Sequence, residues 1–175
     1  MCALFTLQGF CVAISFEHNR KIYFEGHIGF YDLLGSFFNL DFENAIKNEE
    51  IKKLFINGFL SCKQLNQCSY LAQNALSLEF IRDLFINNQI TFEQLQEINF
   101  DCRNALENNY IRELFVNNQI TFDQLNQISL DTVRALSINA IRELFVNNEI
   151  TLDNLAQAYL DYREAQQREL QEMLF

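Results

Sequence analysis

Few side chains here could do chemistry at neutral pH: two histidines, His18 and His27, and five cysteines, Cys2, Cys11, Cys62, Cys68 and Cys102. Nucleophilic catalysis needs a thiol or hydroxyl within reach of a base that is itself oriented by a third group. Cys11, His18 and Glu25 supply the right types, but nothing in their spacing requires one site. His27 falls in a turn slot later held by Gln89, Gln119 and Glu149, so it reads as a surface turn residue. The cysteines form no CxxC pair and are odd in number, the pattern of free, mostly buried thiols in a reducing, cytoplasmic compartment. Adjacent carboxylates such as Glu49 and Glu50 read as solvated helix charge, and no P-loop, GxGxxG or HExxH pattern occurs. No catalytic residue, cofactor or metal ligand is therefore assigned, and the expectation is a protein that is not an enzyme.

Three arginines recur at equal spacing, Arg82, Arg112 and Arg142, and a stripe of guanidinium groups is one way to read a phosphate backbone. The balance of charge argues against that partner. With 13 Lys and Arg against 23 Asp and Glu, the 175-residue chain carries −10 at pH 7. The acidity is also uneven: residues 1–80 hold six basic and eight acidic side chains, residues 81–175 seven and fifteen. Asp83, Glu113 and Glu143 stand directly beside the arginines, so ion ladders between repeats, or contact with a protein, suit them better than nucleic acid.

The chain is 49% hydrophobic, lacks Pro and Trp, and has all five glycines by position 58. So few turn residues exclude a sandwich or barrel and leave a mostly helical protein. No stretch is apolar for the roughly 18 residues of a membrane span. Met1–Phe16 is apolar but lacks a basic start and a polar cleavage region, so a signal peptide is not expected.

Self-similarity is the strongest signal in the chain. Ile51-Lys52-Lys53-Leu54-Phe55-Ile56-Asn57-Gly58 returns at Ile81, Ile111 and Ile141, 30 residues apart each time. Ile90-Thr91-Phe92-Glu93-Gln94-Leu95 returns at Ile120 and Ile150, and an Ala-Leu pair at 75, 105 and 135 closes the pattern. Ala13 to Ile28 overlays Ala135 to Ile150 without a gap, and a two-residue insertion near Gly35-Ser36 restores the frame at Ala45. The reading is an all-α chain, an α-solenoid of about five 30-residue helical repeats forming a single domain over 1–175. Its units span 13–44, 45–74, 75–104, 105–134 and 135–164, with 1–12 as an N-terminal cap and 165–175 as a polar C-terminal capping helix.

Each unit predicts three short helices. Ser61, Thr91, Thr121 and Thr151 precede Gln or Asn by three residues, the spacing of a capping box, and acidic residues follow in the first turn. A second helix starts near Asp101 or Asp131 and buries the Ala-Leu pair. A third, from about Ile111, buries Ile111, Leu114 and Phe115 at i, i+3 and i+4. The second and third do not share one apolar stripe, which predicts a break between them. Gly26, Gly58, Asn88, Asn118 and Asn148 share one slot after the third helix, and only Gly and Asn readily take the left-handed conformation of a helix C-cap. Asn57, Asn87, Asn117 and Asn147, one residue earlier, are expected to bond turn groups between units. A three-helix unit of this size cannot stand alone in water, so stacking must bury the ladder Phe55, Phe85, Phe115 and Phe145.

The segment Ala-Leu-x-x-Asn-x-Ile-Arg-Glu-Leu-Phe-Val-Asn-Asn resembles the two-helix part of ankyrin repeats, without their TPLH start or their hairpin. The Ile-Thr-Phe-x-Gln-Leu block, with the Leu-Phe-x-Asn-Asn before it, is similar to short helical repeats of bacterial type IV-secreted effector proteins, over about residues 13–165. Those repeats often carry Pro where Phe80, Tyr110 and Ala140 stand here. The resemblance implies a protein delivered by an intracellular bacterium into a eukaryotic host cell, with a host protein as partner and Glu164, Glu169 and Glu172 in an acidic C-terminal signal.

The functional expectation is a non-enzymatic protein–protein interaction module. Positions that vary while the frame holds, Ala72/Cys102/Thr132/Tyr162 and Leu78/Asn108/Ile138, are where a repeat binder places specificity. Cys102, Thr132 and Tyr162 thus join Arg82, Arg112 and Arg142 as candidate protein-binding residues. The alternative is a self-associating scaffold, a homodimer through Leu170, Met173, Leu174 and Phe175 at helical spacing. An enzyme with a site the sequence does not display ranks third.

Overall fold

The computed structural model describes residues 17–36 and 39–173. The expected N-terminal cap at 1–12, the Ala13 anchor, Cys2 and Cys11, the side chain of His18, and Leu174 and Phe175 lie outside what is described. Within the described residues the chain is all-helical: 14 α-helices and one 3-10 turn make up 75% of it, and no strand occurs.

Contacts divide the chain into two compact units, Met1–Ile98 and Asn99–Phe175. The first contains α1 (Glu17–Phe24), α2 (Phe30–Ser36), α3 (Leu40–Lys47), α4 (Glu49–Ile56), α5 (Cys62–Asn66), α6 (Tyr70–Leu76), α7 (Glu79–Ile86) and α8 (Phe92–Glu97). The second contains α9 (Phe100–Glu107), α10 (Asn109–Val116), α11 (Phe122–Gln127), α12 (Leu130–Leu136), α13 (Asn139–Val146), a 3-10 turn (Leu152–Asn154) and α14 (Leu155–Met173).

Helices this short would not persist alone, and side chains close the starts of most of them. Ser61, Thr91 and Thr121 form complete capping boxes with Gln64, Gln94 and Gln124 at the starts of α5, α8 and α11. Asn39, Ser69, Asn99 and Ser129 cap α3, α6, α9 and α12. The break between second and third helices is present: Asn48, Leu78, Asn108 and Ile138 are extended there, and Asn48 and Asn108 cap the next helix with their side chains. After the third helix, Gly26, Gly58, Asn88, Asn118 and Asn148 all have φ between 56° and 79°. Gly58 N–H bonds Phe55 O at 3.0 Å and Phe59 N–H bonds Leu54 O at 2.9 Å, a Schellman closure that recurs after α7, α10 and α13.

Packing follows the same order in both units. The second helix of a repeat packs on the third helix of its own repeat and on the first helix of the next: α3 on α4 and α5, α6 on α7 and α8, α9 on α10 and α11. Ile51, Ile81 and Ile111, with Leu65, Leu95 and Leu125 and the Ala-Leu pairs, have no exposed surface. Phe55 and Phe115 are buried, while Phe85 and Phe145 are half-buried, so the phenylalanine ladder is less enclosed than the Ile and Leu columns.

The last helix departs from the sequence expectation. In place of a separate capping helix at 165–175, α14 runs 19 residues without a break. Where Asn99 and Ser129 cap a new helix, Tyr159 stands, and the preceding Ala156-Gln157-Ala158 are good helix formers, so nothing stops the chain from continuing.

Candidate interaction surface

One exposed register recurs within each unit from the way the second helices are capped. The residue after the cap is the first helical position and points away from the packed face, whereas the second, fifth and sixth residues after it turn inward. Phe100 is thus exposed while Cys102, Ala105 and Leu106 are buried. Leu40 and Tyr70 in the first unit, and Phe100 and Leu130 in the second, are between 52% and 75% exposed. Leu160, at the same register in α14, is 41% exposed. A large apolar side chain left in water at one register of every repeat is the kind of feature that marks an interaction surface. Asp41, Asp101, Asp131 and Asp161 follow four of the five, and Arg103 lies over the Phe100 ring at 5.4 Å.

The residues singled out from sequence fall elsewhere. Ala72 and Cys102 have no exposed surface, and Thr132 is buried with its hydroxyl 2.9 Å from Ser129 Oγ. Those three positions are core, and the variation among them is variation in packing volume. Tyr162 is half-buried, and its hydroxyl accepts a 2.8 Å hydrogen bond from Gln166 Nε2. The three arginines are half-buried and bonded within their own units. Arg82 donates to Leu76 O at 3.0 Å and Ser77 O at 2.8 Å and pairs with Glu50 at 3.4 Å across a repeat, not with Asp83. Arg112 donates to Leu106 O at 2.6 Å and to Asn109. Arg142 bonds Asn139 and stacks 4.7 Å over Tyr110, 32 positions earlier as Glu50 is from Arg82. The Glu50 carboxyl is held below its ordinary range, first by its hydrogen bond from Lys53, with Arg82 adding to the effect.

Contacts between repeats come partly from chosen residues, Arg82, Arg142 and Asn108, whose Nδ2 donates to Ser137 Oγ at 3.1 Å, and partly from residues that sequence reasoning did not choose. Asn57, Asn87, Asn117 and Asn147 are exposed, and Asn87 Nδ2 bonds only its own helix, at Asp83 O. Further ties run from the second-helix caps. Asn39 Nδ2 donates to Asn66 O in the next repeat at 2.8 Å, and Asn99 Nδ2 donates to Asn126 O at the same distance. The available signal was an Asn cap alternating with Ser at 39, 69, 99 and 129, a 60-residue period beneath the 30-residue one.

Among the described residues, Cys68 and Cys102 are buried, while Cys62 is half-buried with its sulfur 3.5 Å from Ser36 Oγ. Burial pushes Cys68 and Cys102 up to about 12, and burial also raises Cys62, against a smaller opposing effect of its contact with Ser36. Protonated, enclosed thiols are poor nucleophiles. His27 Nε2 lies 3.6 Å from Glu25 in the turn after α1. Among the described residues, no three His, Cys, Asp or Glu side chains gather as metal ligands would, and no helix is long and apolar enough to cross a membrane. In the second unit a cleft of about 260 Å³ opens between the α11–α12 loop and the start of α14. No protein-family model matches the chain, and no curated protein or solved structure matches it.

Proposed function

We propose that the chain is a non-enzymatic protein–protein interaction module, an α-solenoid of about five stacked helical repeats. The observation that supports this reading is the exposed apolar register that recurs in both units, at Leu40 and Tyr70 in the first and at Phe100, Leu130 and Leu160 in the second. Stability does not explain it, since four of the five side chains are more than half exposed. The flanking aspartates favour a partner segment that is apolar and carries basic residues. The resemblance to secreted bacterial effector repeats makes a host-cell protein the proposed partner and translocation from the bacterial cytoplasm the proposed route.

The test is affinity capture from eukaryotic cell lysate, read by mass spectrometry. Wild type is compared with a variant carrying Tyr70→Ser, Phe100→Ser and Leu130→Ser. The variant should keep its helical circular dichroism, because the three side chains are mostly exposed, and should lose the captured protein. Equal capture by both proteins, or capture by neither, overturns the reading.

Self-association is the second reading, favoured by Leu170 and Met173, three residues apart on α14 and both more than half exposed. Leu144 adds to it: 38% exposed, against 2% for its equivalent Leu114.

A further inference from the structure

The loop between the first and second helices of a repeat presents a backbone carbonyl and, two residues later, an N–H. In the first unit these belong to Gln67 and Ser69, and a single carboxamide joins them. Gln96 Nε2 donates to Gln67 O at 2.8 Å, and Gln96 Oε1 accepts from Ser69 N at 3.1 Å. Sixty residues on, the same loop carries Gln127 and Ser129, and the position of Gln96 is held by Ala156. Gln127 O and Ser129 N make no hydrogen bond among the described residues. Where the glutamine side chain would lie is the 260 Å³ cleft, lined by Gln127, Ser129, Leu152, Asp153 and Ala156.

We propose that this cleft receives a primary carboxamide, the side chain of a glutamine or asparagine on the partner polypeptide. The amide NH₂ donates to Gln127 O, and the amide oxygen accepts from Ser129 N–H. The chemistry is selective. A carboxylate cannot donate to Gln127 O and meets the negative charge of Asp153, while an ammonium or guanidinium group cannot accept from Ser129. Gln127 and Ser129 are exposed, and polar groups open to solvent bond water, so a ligand must reproduce both bonds to compete, as a carboxamide does. Ser129 directly precedes Leu130, which places the cleft next to the exposed register. The proposal rests on the protein-interaction reading and specifies one residue type that the partner inserts.

A probe titration tests the site without the partner. Acetyl-glutamine methylamide is added to ¹⁵N-labelled protein, with acetyl-glutamate methylamide as control, and the backbone amides are followed by NMR. Two hydrogen bonds on a small neutral probe give weak binding, with half-saturation on the order of 100 mM. In wild type the Ser129 amide shifts saturably with the glutamine probe and not with the glutamate probe. Ala156→Gln fills the cleft from within and abolishes the shift. Gln96→Ala opens the equivalent slot and makes Ser69 respond as Ser129 does. The proposal is overturned if Ser129 moves no more than amides on exposed helix faces, if both probes move it alike, or if the response survives Ala156→Gln. A captured partner that binds Ala156→Gln at full affinity but is lost with the Tyr70, Phe100 and Leu130 variant removes the carboxamide site and leaves the interaction reading standing. A saturable probe response together with capture unchanged by that variant does the reverse.

Discussion

At residue scale, the slot after each third helix is governed by backbone conformation and not by space. A Cβ built on Gly58 meets nothing within 4 Å, yet its φ is +79°, a region that β-branched residues avoid. Gly58→Val should therefore lower stability by about 1–2 kcal/mol, whereas Asn118→Gly should change it by only a few tenths, both read from urea denaturation. That slot was legible because Gly and Asn share one rare conformation, and their alternation at one register has few other causes. The neighbouring asparagines misled for the opposite reason: an exposed Asn near a helix end suits many local bonds, and sequence does not say which one forms. The thiols carry a second expectation. Cys68 and Cys102, pushed up to about 12, should resist iodoacetamide at pH 8 in the folded protein and react in urea, with peptide mass spectrometry resolving each site. The folded state holds these protons more tightly than the unfolded state, so their contribution to stability is full below the unfolded thiol range near 9. It falls as pH rises from there toward 12.

At the scale of elements, each second helix is fixed by a cap that serves two purposes. Asn99 Oδ1 accepts from Cys102 N–H at 2.7 Å while its Nδ2 reaches Asn126 O in the next repeat. Asn99→Ala should cost about 1–3 kcal/mol, through the lost cap and the stranded carbonyl together. Asn99→Asp keeps the cap and removes the donor, so it should recover part of the loss, and Asn117→Ala should fall within about half a kcal/mol of wild type. Equal denaturation midpoints for Asn99→Ala and Asn117→Ala would remove the tie from the account. Helix positions were readable from this sequence because capping boxes, apolar spacing and left-handed stops all agreed within one 30-residue frame. The exposed register was not, because Phe100 and Cys102 are both apolar residues in an apolar segment. Which of them faces inward depends on where the helix begins, and the expected start at Asp101 was one residue late. The unbroken α14 was missed similarly. The reading placed a separate capping helix at 165–175, but Tyr159 stands where Asn99 and Ser129 cap a new helix, and its side chain cannot cap one.

At the scale of the whole molecule, a net charge of −10 and a set of solvent-exposed apolar side chains act against each other. Electrostatic repulsion between copies keeps such surfaces apart at neutral pH, and it disappears as the carboxylates take up protons toward the isoelectric point near 4.6. Light scattering should therefore report little association at pH 7 and a steep rise as pH falls toward 4.6. Salt at pH 7 should reproduce only part of that rise, since screening over roughly 8 Å at physiological ionic strength weakens repulsion without removing the charges. Two variants separate the surfaces responsible. If the exposed register at Tyr70, Phe100 and Leu130 is the adhesive, replacing those three by Ser should move the onset to lower pH, while Leu170→Ser with Met173→Ser should leave it unchanged. The opposite result would place self-contact at the end of α14 and favour the scaffold reading over a module that keeps its apolar side chains for another protein. The same charge that prevents homotypic contact would then attract a basic partner, so association with it should be faster at low salt and slow down as salt is added.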